Sequence, residues 1–121
     1  MALNLIQTNA YEITPVLTVN AQTGTTYTFA LSDSVNTLVT AANASAIAIT
    51  IPANATVPFP IGSVLNFAQT GAGQVTISGA AGVTITSIGA TAATPKTRVQ
   101  YSAGSAVEIS ENNWLVFGDI A

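Results

Sequence analysis

The stretch Ala46-Ile-Ala-Ile-Thr-Ile51 carries the pattern that decides the fold class of this chain. Its three isoleucines, Ile47, Ile49 and Ile51, alternate with small or hydroxylated residues. Successive side chains of a strand point to opposite faces, so the three isoleucines share one face of an extended segment. A strand of this kind buries its apolar face against a second layer and leaves the other face outside. The stretch therefore predicts a half-buried β-strand.

The same alternation recurs along the chain, and turn signals rich in Gly, Pro, Asn and Ser separate the segments. The recurring segments are Tyr27–Leu31, Gln74–Ser78, Gly82–Thr86, Arg98–Ser102 and Ala106–Ser110. In them we expect Val75, Ile77, Val83 and Ile85 to face inward and Glu108 to face outward. Strands spaced by roughly 8–12 residues are typical of an all-β sandwich or barrel. No segment has the period of a long amphipathic helix.

Two parts of the chain depart from simple alternation. Trp114-Leu-Val-Phe117 is apolar on both faces, which indicates either a strand covered on both sides or a strand at a subunit interface. The N-terminal residues 1–24 are apolar but irregular, which is consistent with an edge strand or with an arm that lies on a partner. The sequence thus divides into an N-terminal segment, 1–24, and a β-rich body, 25–121.

Composition limits the functions that the chain can perform. Its 121 residues carry a net charge of −3, and only 6% are charged although 49% are hydrophobic. An ordinary soluble domain has about 25% charged residues. The length predicts one domain with a core of normal size. The surface must therefore be covered by uncharged side chains or by other subunits.

Several classes of partner and cofactor are disfavoured by the residue types. The chain has no His and no Cys, which removes thiolate and imidazole metal sites, Cys nucleophiles, disulfides and His-dependent triads. Its two cations, Lys96 and Arg98, are too few for nucleic-acid binding through phosphate contacts. Its apolar runs are far shorter than the roughly 18 residues of a membrane-spanning helix. We expect no cofactor, no metal, no nucleic acid and no membrane partner.

Paired carboxylates are the catalytic apparatus that this composition permits. Glu108, Glu111 and Asp119 lie near one another in sequence, and glycosidases use two carboxyl groups about 5–10 Å apart. Solvated strand and turn positions account for Glu108 and Glu111, so we expect no catalytic residues and no enzymatic activity. Asp33 in Ser32-Asp33-Ser34 could contribute to a calcium site, but this tripeptide more often forms an Asx-type turn.

From about Thr25 to its C-terminus, the sequence resembles a β-rich module found in virion proteins of tailed bacteriophages. The order and rough spacing of several stretches carry the resemblance: Tyr27–Leu31, Ile49–Pro52, Phe59–Ser63, Gln69–Gln74, Gly82–Ile85, Lys96–Tyr101 and Asn113–Asp119. In that group, the module is similar to parts of head decoration (cement) proteins and of head or tail fibres. Here it lacks the long shaft of a fibre, so the resemblance implies a small capsid cement protein, and such proteins are often trimers.

The leading hypothesis is a non-enzymatic phage structural protein with an antiparallel, jelly-roll-like β-sandwich body. As a homotrimer on the outer surface of the capsid, it would bridge subunits of the major capsid protein. The alternatives are a fibre module that binds host glycan and a carbohydrate-active enzyme using Glu108 and Asp119. The residues expected at capsid or subunit contacts are Leu3, Leu5, Ile6, Tyr11, Ile13, Trp114 and Phe117, with the last two serving either the core or the trimer contact.

Overall fold

Nine strands and one short 3₁₀ helix make up the described part of the chain, residues 16–88 and 91–121 of a computed structural model. The 3₁₀ helix spans Leu31–Ser34. The strands are β1 (Thr18–Gln22), β2 (Thr26–Thr28), β3 (Thr37–Ala41), β4 (Ile47–Ile51), β5 (Val64–Gln69), β6 (Val75–Gly79), β7 (Thr84–Ser87), β8 (Ala103–Ser110) and β9 (Asn113–Gly118). No helix within these ranges is long and apolar enough to cross a membrane.

The first six strands alternate between two sheets. Odd-numbered strands lie in a six-stranded sheet of order β1-β3-β5-β8-β9-β7, and even-numbered strands form a three-stranded sheet, β2-β4-β6. The chain therefore makes three circuits, β1–β2, β3–β4 and β5–β6, and each circuit pairs in parallel with the one before it. This is the connectivity of a short parallel β-helix. β8 then returns antiparallel between β5 and β9, and β7 pairs in parallel with β9 at the edge.

The all-β prediction is confirmed, but the expected antiparallel order is wrong for five of the seven strand pairs. Alternation of apolar and polar residues determines which face of a strand is buried, but it says nothing about the direction of the neighbouring strand. A hairpin would use a short turn to join two strands that pair with each other. Here the short connection at residues 23–25 joins β1 and β2, which belong to different sheets.

One hydrophobic cluster receives buried side chains from both sheets. The predicted inward residues Ile47, Ile49, Ile51, Val75, Ile77 and Ile85 are all buried in it, and Val83 packs partly buried against it. The other buried members are Phe29, Val39, Ala41, Phe59, Leu65, Phe67, Ala106, Trp114, Val116 and Ile120. The alternation pattern therefore located the core correctly in β4, β6 and β7.

Two segments predicted as regular alternating strands behave differently. Residues 99–101 form a bend and turn instead of a strand, and Tyr101 there is exposed with a positive φ of 74°. β8 does form, but the residues that face the core are those predicted to face outward. Ala106 and Glu108 face inward and Ile109 is exposed, so the outward placement of Glu108 is wrong. The register with Trp114 on β9 sets this phase.

Residues 16–24 include β1, which is an edge strand of the six-stranded sheet. The predicted contact residues Leu3, Leu5, Ile6, Tyr11 and Ile13 lie outside the described residues. The division into an N-terminal arm and a body therefore stays a prediction.

Candidate protein-interaction face

The side of the six-stranded sheet that points away from the core forms a continuous surface, here called the outer face. Its residues fall into three rows that run across the strands, because directly paired residues lie on the same side of a sheet. The rows are Val64-Val107-Leu115-Thr86, then Val19-Leu38-Asn66-Ser105-Phe117, then Ala21-Thr40-Ala68-Ala103. Distant parts of the sequence thus meet on one surface.

Large apolar side chains on the outer face are open to solvent. Phe117 is 47% exposed and Val19 is 62% exposed, and Val64 and Leu115 are exposed as well. Monomeric proteins rarely expose large contiguous apolar patches, and such patches mark interaction sites. The outer face therefore has the composition of a surface that packs against protein.

The polar residues in the middle of the outer face already have hydrogen-bond partners within the sheet. Ser105 Oγ donates to Asn66 Oδ1 at 2.7 Å, and Asn66 Nδ2 donates to the Thr37 carbonyl at 3.1 Å. Covering a polar group that has a partner costs less free energy than covering one that loses water without replacement. A second protein surface could therefore cover this row at low cost.

Charged side chains are missing from all three rows of the outer face. The charged residues that the structure describes lie elsewhere: Asp33 in the 3₁₀ helix, Lys96 and Arg98 between β7 and β8, Glu108 toward the core, Glu111 in the β8–β9 turn and Asp119 after β9. The central parts of protein interfaces are depleted in charge and enriched in aromatic residues. The outer face shares both features, with Phe117 as its aromatic residue.

The sequence predicted the same role for Trp114 and Phe117, in the core or in the trimer contact. The structure places them on opposite sides of the sheet. Trp114 is 1% exposed and packs edge-to-face on Phe59, with ring centroids 5.3 Å apart. Phe117 has the opposite strand parity and faces outward beside Ser105. Trp114 therefore belongs to the core, and Phe117 is the one available for contact with another molecule.

A polar network occupies the space between β1 and the 3₁₀ helix. The buried carboxylate of Asp33 accepts hydrogen bonds from Tyr27 Oη at 2.5 Å, Asn20 Nδ2 at 2.9 Å and the Ala30 N–H at 2.8 Å. The Ala30 bond runs from the N–H three residues before Asp33, so Asp33 caps the start of the 3₁₀ helix and this contact is not that of an Asx-type turn. Asn20 and Tyr27 were not predicted, since neither residue belongs to a recognisable motif.

An open groove of about 530 Å³ lies beside this network. Its lining residues are Thr18, Val19, Asn20, Ser32, Asp33, Val35 and Thr37. The lining combines hydroxyl, amide and carboxylate groups with the apolar side chains of Val19 and Val35, and it contains no aromatic side chain. Both oxygens of Asp33 already accept hydrogen bonds, so the carboxylate is engaged in holding the fold together.

The carboxylates considered for catalysis lie apart. Glu108 is buried near the β8–β9 turn, whereas the Asp119 N–H bonds to the Ala103 carbonyl at the other end of β8. Five residues of strand separate these positions, which is roughly 17 Å of backbone at about 3.4 Å per residue. Glycosidase carboxyl pairs are about 5–10 Å apart. Glu108 and Asp119 therefore do not form such a pair.

Asp119 accepts hydrogen bonds from two side chains of the segment that precedes β8. The Ser102 hydroxyl donates to its Oδ2 at 2.6 Å, and Arg98 Nε donates to its Oδ1 at 2.5 Å. These two bonds, with Ser102 the larger cause, hold the pKa of Asp119 below its ordinary value. The contacts tie the end of β9 to the turn at residues 98–102.

No protein-family model matches the chain, and no curated protein matches it significantly.

Proposed function

We propose that the protein is a non-enzymatic structural component of a tailed-phage virion, acting as a homotrimeric cement protein. In this proposal it lies on the outer surface of the capsid and bridges subunits of the major capsid protein. The observation that carries the proposal is the outer face, an uncharged sheet surface with exposed apolar side chains. The resemblance to phage virion modules supplies the identity of the assembly.

The physical basis of the activity is burial of apolar surface across joints between subunits. Each square ångström of apolar area removed from water contributes about 25 cal/mol, so a modest patch gives a useful but weak contact. A trimer presents three copies of each contact at once, and linked contacts bind far more tightly than single ones. A cement protein would thereby raise the temperature or pressure at which the shell opens.

Within this proposal, the body is a two-sheet sandwich. The shared hydrophobic cluster supports that arrangement because both sheets contribute buried residues to it. The parallel pairing of the first six strands departs from the antiparallel order expected of a jelly roll.

A second candidate is a fibre module that binds host glycan, and the hydroxyl, amide and carboxylate groups in the groove beside Asp33 favour it. Hydroxyl, amide and carboxylate groups are suitable partners for sugar hydroxyls. The groove lining lacks the aromatic surface on which a sugar ring would pack, so this candidate ranks second. Binding to defined oligosaccharides on a glycan array, abolished by Asn20→Ala, would favour it over the cement role.

The test of the cement proposal compares the wild-type protein with a Leu115→Thr/Phe117→Thr double variant. Thr keeps the preference for strand structure but removes most of the apolar area from the outer face. Val99→Thr is the matched control, because Val99 is at least as open to solvent as Leu115 and Phe117, at 56% exposure, but lies in the bend between β7 and β8.

We expect sedimentation velocity to give a trimer for the wild type and the Val99 variant and a monomer for the double variant. Co-sedimentation with expanded phage shells that lack decoration protein should follow the same order. A wild-type protein that is monomeric and does not bind shells would contradict the proposal. Circular dichroism of the double variant checks that its strands are retained.

A further inference from the structure

The six-stranded sheet ends in two edge strands, β1 and β7, that run in the same direction. β1, β3 and β5 are parallel to one another, and the two antiparallel pairings of β8 make β9 parallel to β5. β7 is parallel to β9, so it also runs in the direction of β1. Rotation about an axis along the strands leaves this direction unchanged. Two copies related by such a rotation can therefore bring β7 of one beside β1 of the other as a parallel pair.

The open edge of β1 presents the backbone groups of Val19 and Ala21. The Thr18 N–H donates to the Asn36 carbonyl at 2.8 Å, and the Gln22 carbonyl accepts the N–H of the residue that follows β3. Successive residues of a strand direct their backbone groups to alternate sides, so the even-numbered residues of β1 bond toward β3. The N–H and C=O groups of Val19 and Ala21 thus point away from the sheet.

The open edge of β7 has the same arrangement. The Thr84 N–H donates to the Asn112 carbonyl at 2.8 Å, so the backbone groups of Thr84 are directed toward β9. By the same alternation, the backbone groups of Ile85 and Ser87 point away from β9. In residues 16–88 and 91–121, no backbone group bonds to the outward N–H and C=O groups of either edge. Within these ranges, each edge is open to pairing with a further strand.

Neither edge strand carries the features that block edge pairing in soluble proteins, which include charged side chains, prolines and β-bulges. The sequence of β1 is Thr-Val-Asn-Ala-Gln, and that of β7 is Thr-Ile-Thr-Ser. Their registers with β3 and β9 are uninterrupted, so neither strand contains a bulge. An unprotected edge of this kind is a template for pairing with another chain.

We propose that β7 of one copy pairs in parallel with β1 of the next copy and joins their six-stranded sheets edge to edge. The contact uses a different strand on each copy, and such contacts form a ring when the rotation between copies closes. The proposal rests on the homotrimer of the proposed function, and it identifies the strands that join the subunits.

The parallel register with full overlap of β7 aligns Thr84 with Val19 and Ser87 with Gln22. In this register, the outward backbone groups of the two strands face each other. Val19 and Thr84 both lie on the outer face, so the outer faces of adjoining copies become continuous. The apolar side chains of Val19 and Leu115 then flank the junction between copies.

The sequence contains no cysteine, which allows a specific cross-linking test. Val19 and Thr84 are both exposed, so Val19→Cys/Thr84→Cys introduces two thiols outside the core. Within one copy, these positions lie at opposite edges of the sheet, about 24 Å apart for five strand spacings of about 4.8 Å. A short bismaleimide therefore joins them only between copies. We expect covalent trimers and no larger species from the double variant, and no cross-linked product from either single variant.

Ala21→Pro tests the backbone pairing itself, because it removes an outward N–H, and proline is tolerated on edge strands. Thr28→Pro is the matched control, since Thr28 is exposed on β2, an edge strand of the other sheet. We expect the trimer dissociation constant to rise by about tenfold or more for Ala21→Pro, because each junction loses a backbone hydrogen bond. It should stay unchanged for Thr28→Pro. Sedimentation velocity measures both, and circular dichroism checks that the strands are retained.

Two results would overturn the edge pairing and leave the cement proposal in place. The first is a trimeric double-cysteine variant that does not cross-link. The second is a cross-linked dimer from Val19→Cys alone, which would indicate an antiparallel β1–β1 contact about a two-fold axis. A wild-type protein that is monomeric would contradict both proposals. The cross-linking result holds whether or not Ala21→Pro folds.

Discussion

At the residue scale, Tyr27 and Asp33 form a hydrogen-bonded pair around a buried carboxylate. Asp33 is 2% exposed, and the Tyr27 hydroxyl donates to it at 2.5 Å. Burial is the largest reason that the phenolate is disfavoured, and the hydrogen bond to the neighbouring carboxylate adds to it. Together they raise the pKa of Tyr27 to about 12.

This pair predicts a loss of stability in alkaline solution. Above the ordinary tyrosine pKa of 10.0 the unfolded chain loses the Tyr27 proton, whereas the folded chain keeps it until about pH 12. The unfolded state then binds fewer protons, so the free energy of unfolding falls as pH rises through this interval. Tyr27→Phe should reduce that fall, and should cost about 1–3 kcal/mol at neutral pH because Asp33 loses a donor.

Urea denaturation of both proteins at neutral pH and across the alkaline interval measures these effects. An alkaline slope that is identical in wild type and variant would show that Tyr27 does not cause the loss.

Gly73 illustrates a close approach between backbones. A Cβ atom at this position would lie 1.8 Å from the Ser45 carbonyl oxygen, which is backbone and cannot rotate away. Gly73→Ala should therefore destabilise the protein by about 1–3 kcal/mol or more, as overpacking does. Gly24→Ala is the control, since the nearest atom to its Cβ would be at an ordinary 3.7 Å. Its stability should stay within about 1 kcal/mol of wild type, measured by the same denaturation.

At the scale of elements, Thr97 joins the end of β5 to the start of β6. Its buried hydroxyl donates to Gln69 Oε1 at 2.5 Å and accepts the Val75 N–H at 2.9 Å. Gln69 belongs to the six-stranded sheet and Val75 to the three-stranded sheet. The hydroxyl thus connects the two sheets at a point where the chain passes from one to the other.

Thr97→Val should remove this connection without changing the side-chain volume. Leaving buried polar groups on Gln69 and Val75 unpaired costs about 1–3 kcal/mol for each group that loses its partner. Thr97→Ser keeps the hydroxyl and loses one methyl group, at about 0.8 kcal/mol. The thermal melting temperature should therefore fall further for Val than for Ser. The reverse order would mean that methyl packing, and not the hydrogen bonds, gives Thr97 its importance.

Element identity was predictable where one face of a strand is apolar, as in β4 and β6. Element pairing was not, because β1, β3 and β5 come together only after the chain has crossed to the other sheet and back. The prediction of which β8 residues face the core was also wrong. In Ala106–Ser110 both faces carry apolar residues, so alternation alone did not show that Glu108 points inward.

At the scale of the whole molecule, the low charge of the chain and its apolar outer face together predict how association depends on salt. The proposed association through this face buries apolar groups and no ion pairs, so salt has little to screen. We expect the trimer dissociation constant to change by less than about threefold between 0.1 and 1 M salt, over which the Debye length falls from about 10 to 3 Å. Sedimentation equilibrium at both salt concentrations measures this. Strong weakening in high salt would instead indicate contacts made by the few charged residues.

Composition and alternation alone determined that the chain is all-β, that its core includes the β4 isoleucines, and that imidazole and thiolate chemistry is absent. These are local properties, since the side-chain period of a strand and the set of available functional groups do not depend on the rest of the fold.

Tertiary structure decided the rest. Parallel pairing from β1 to β5 and antiparallel pairing from β5 to β9 gather Val19 and Phe117 into one row. Burial of Glu108 follows from its register with Trp114, and Asn54 meets Asn112 across 58 positions of sequence. Each depends on which strands become neighbours, and that choice is made by the packing of the entire chain and not by any one segment.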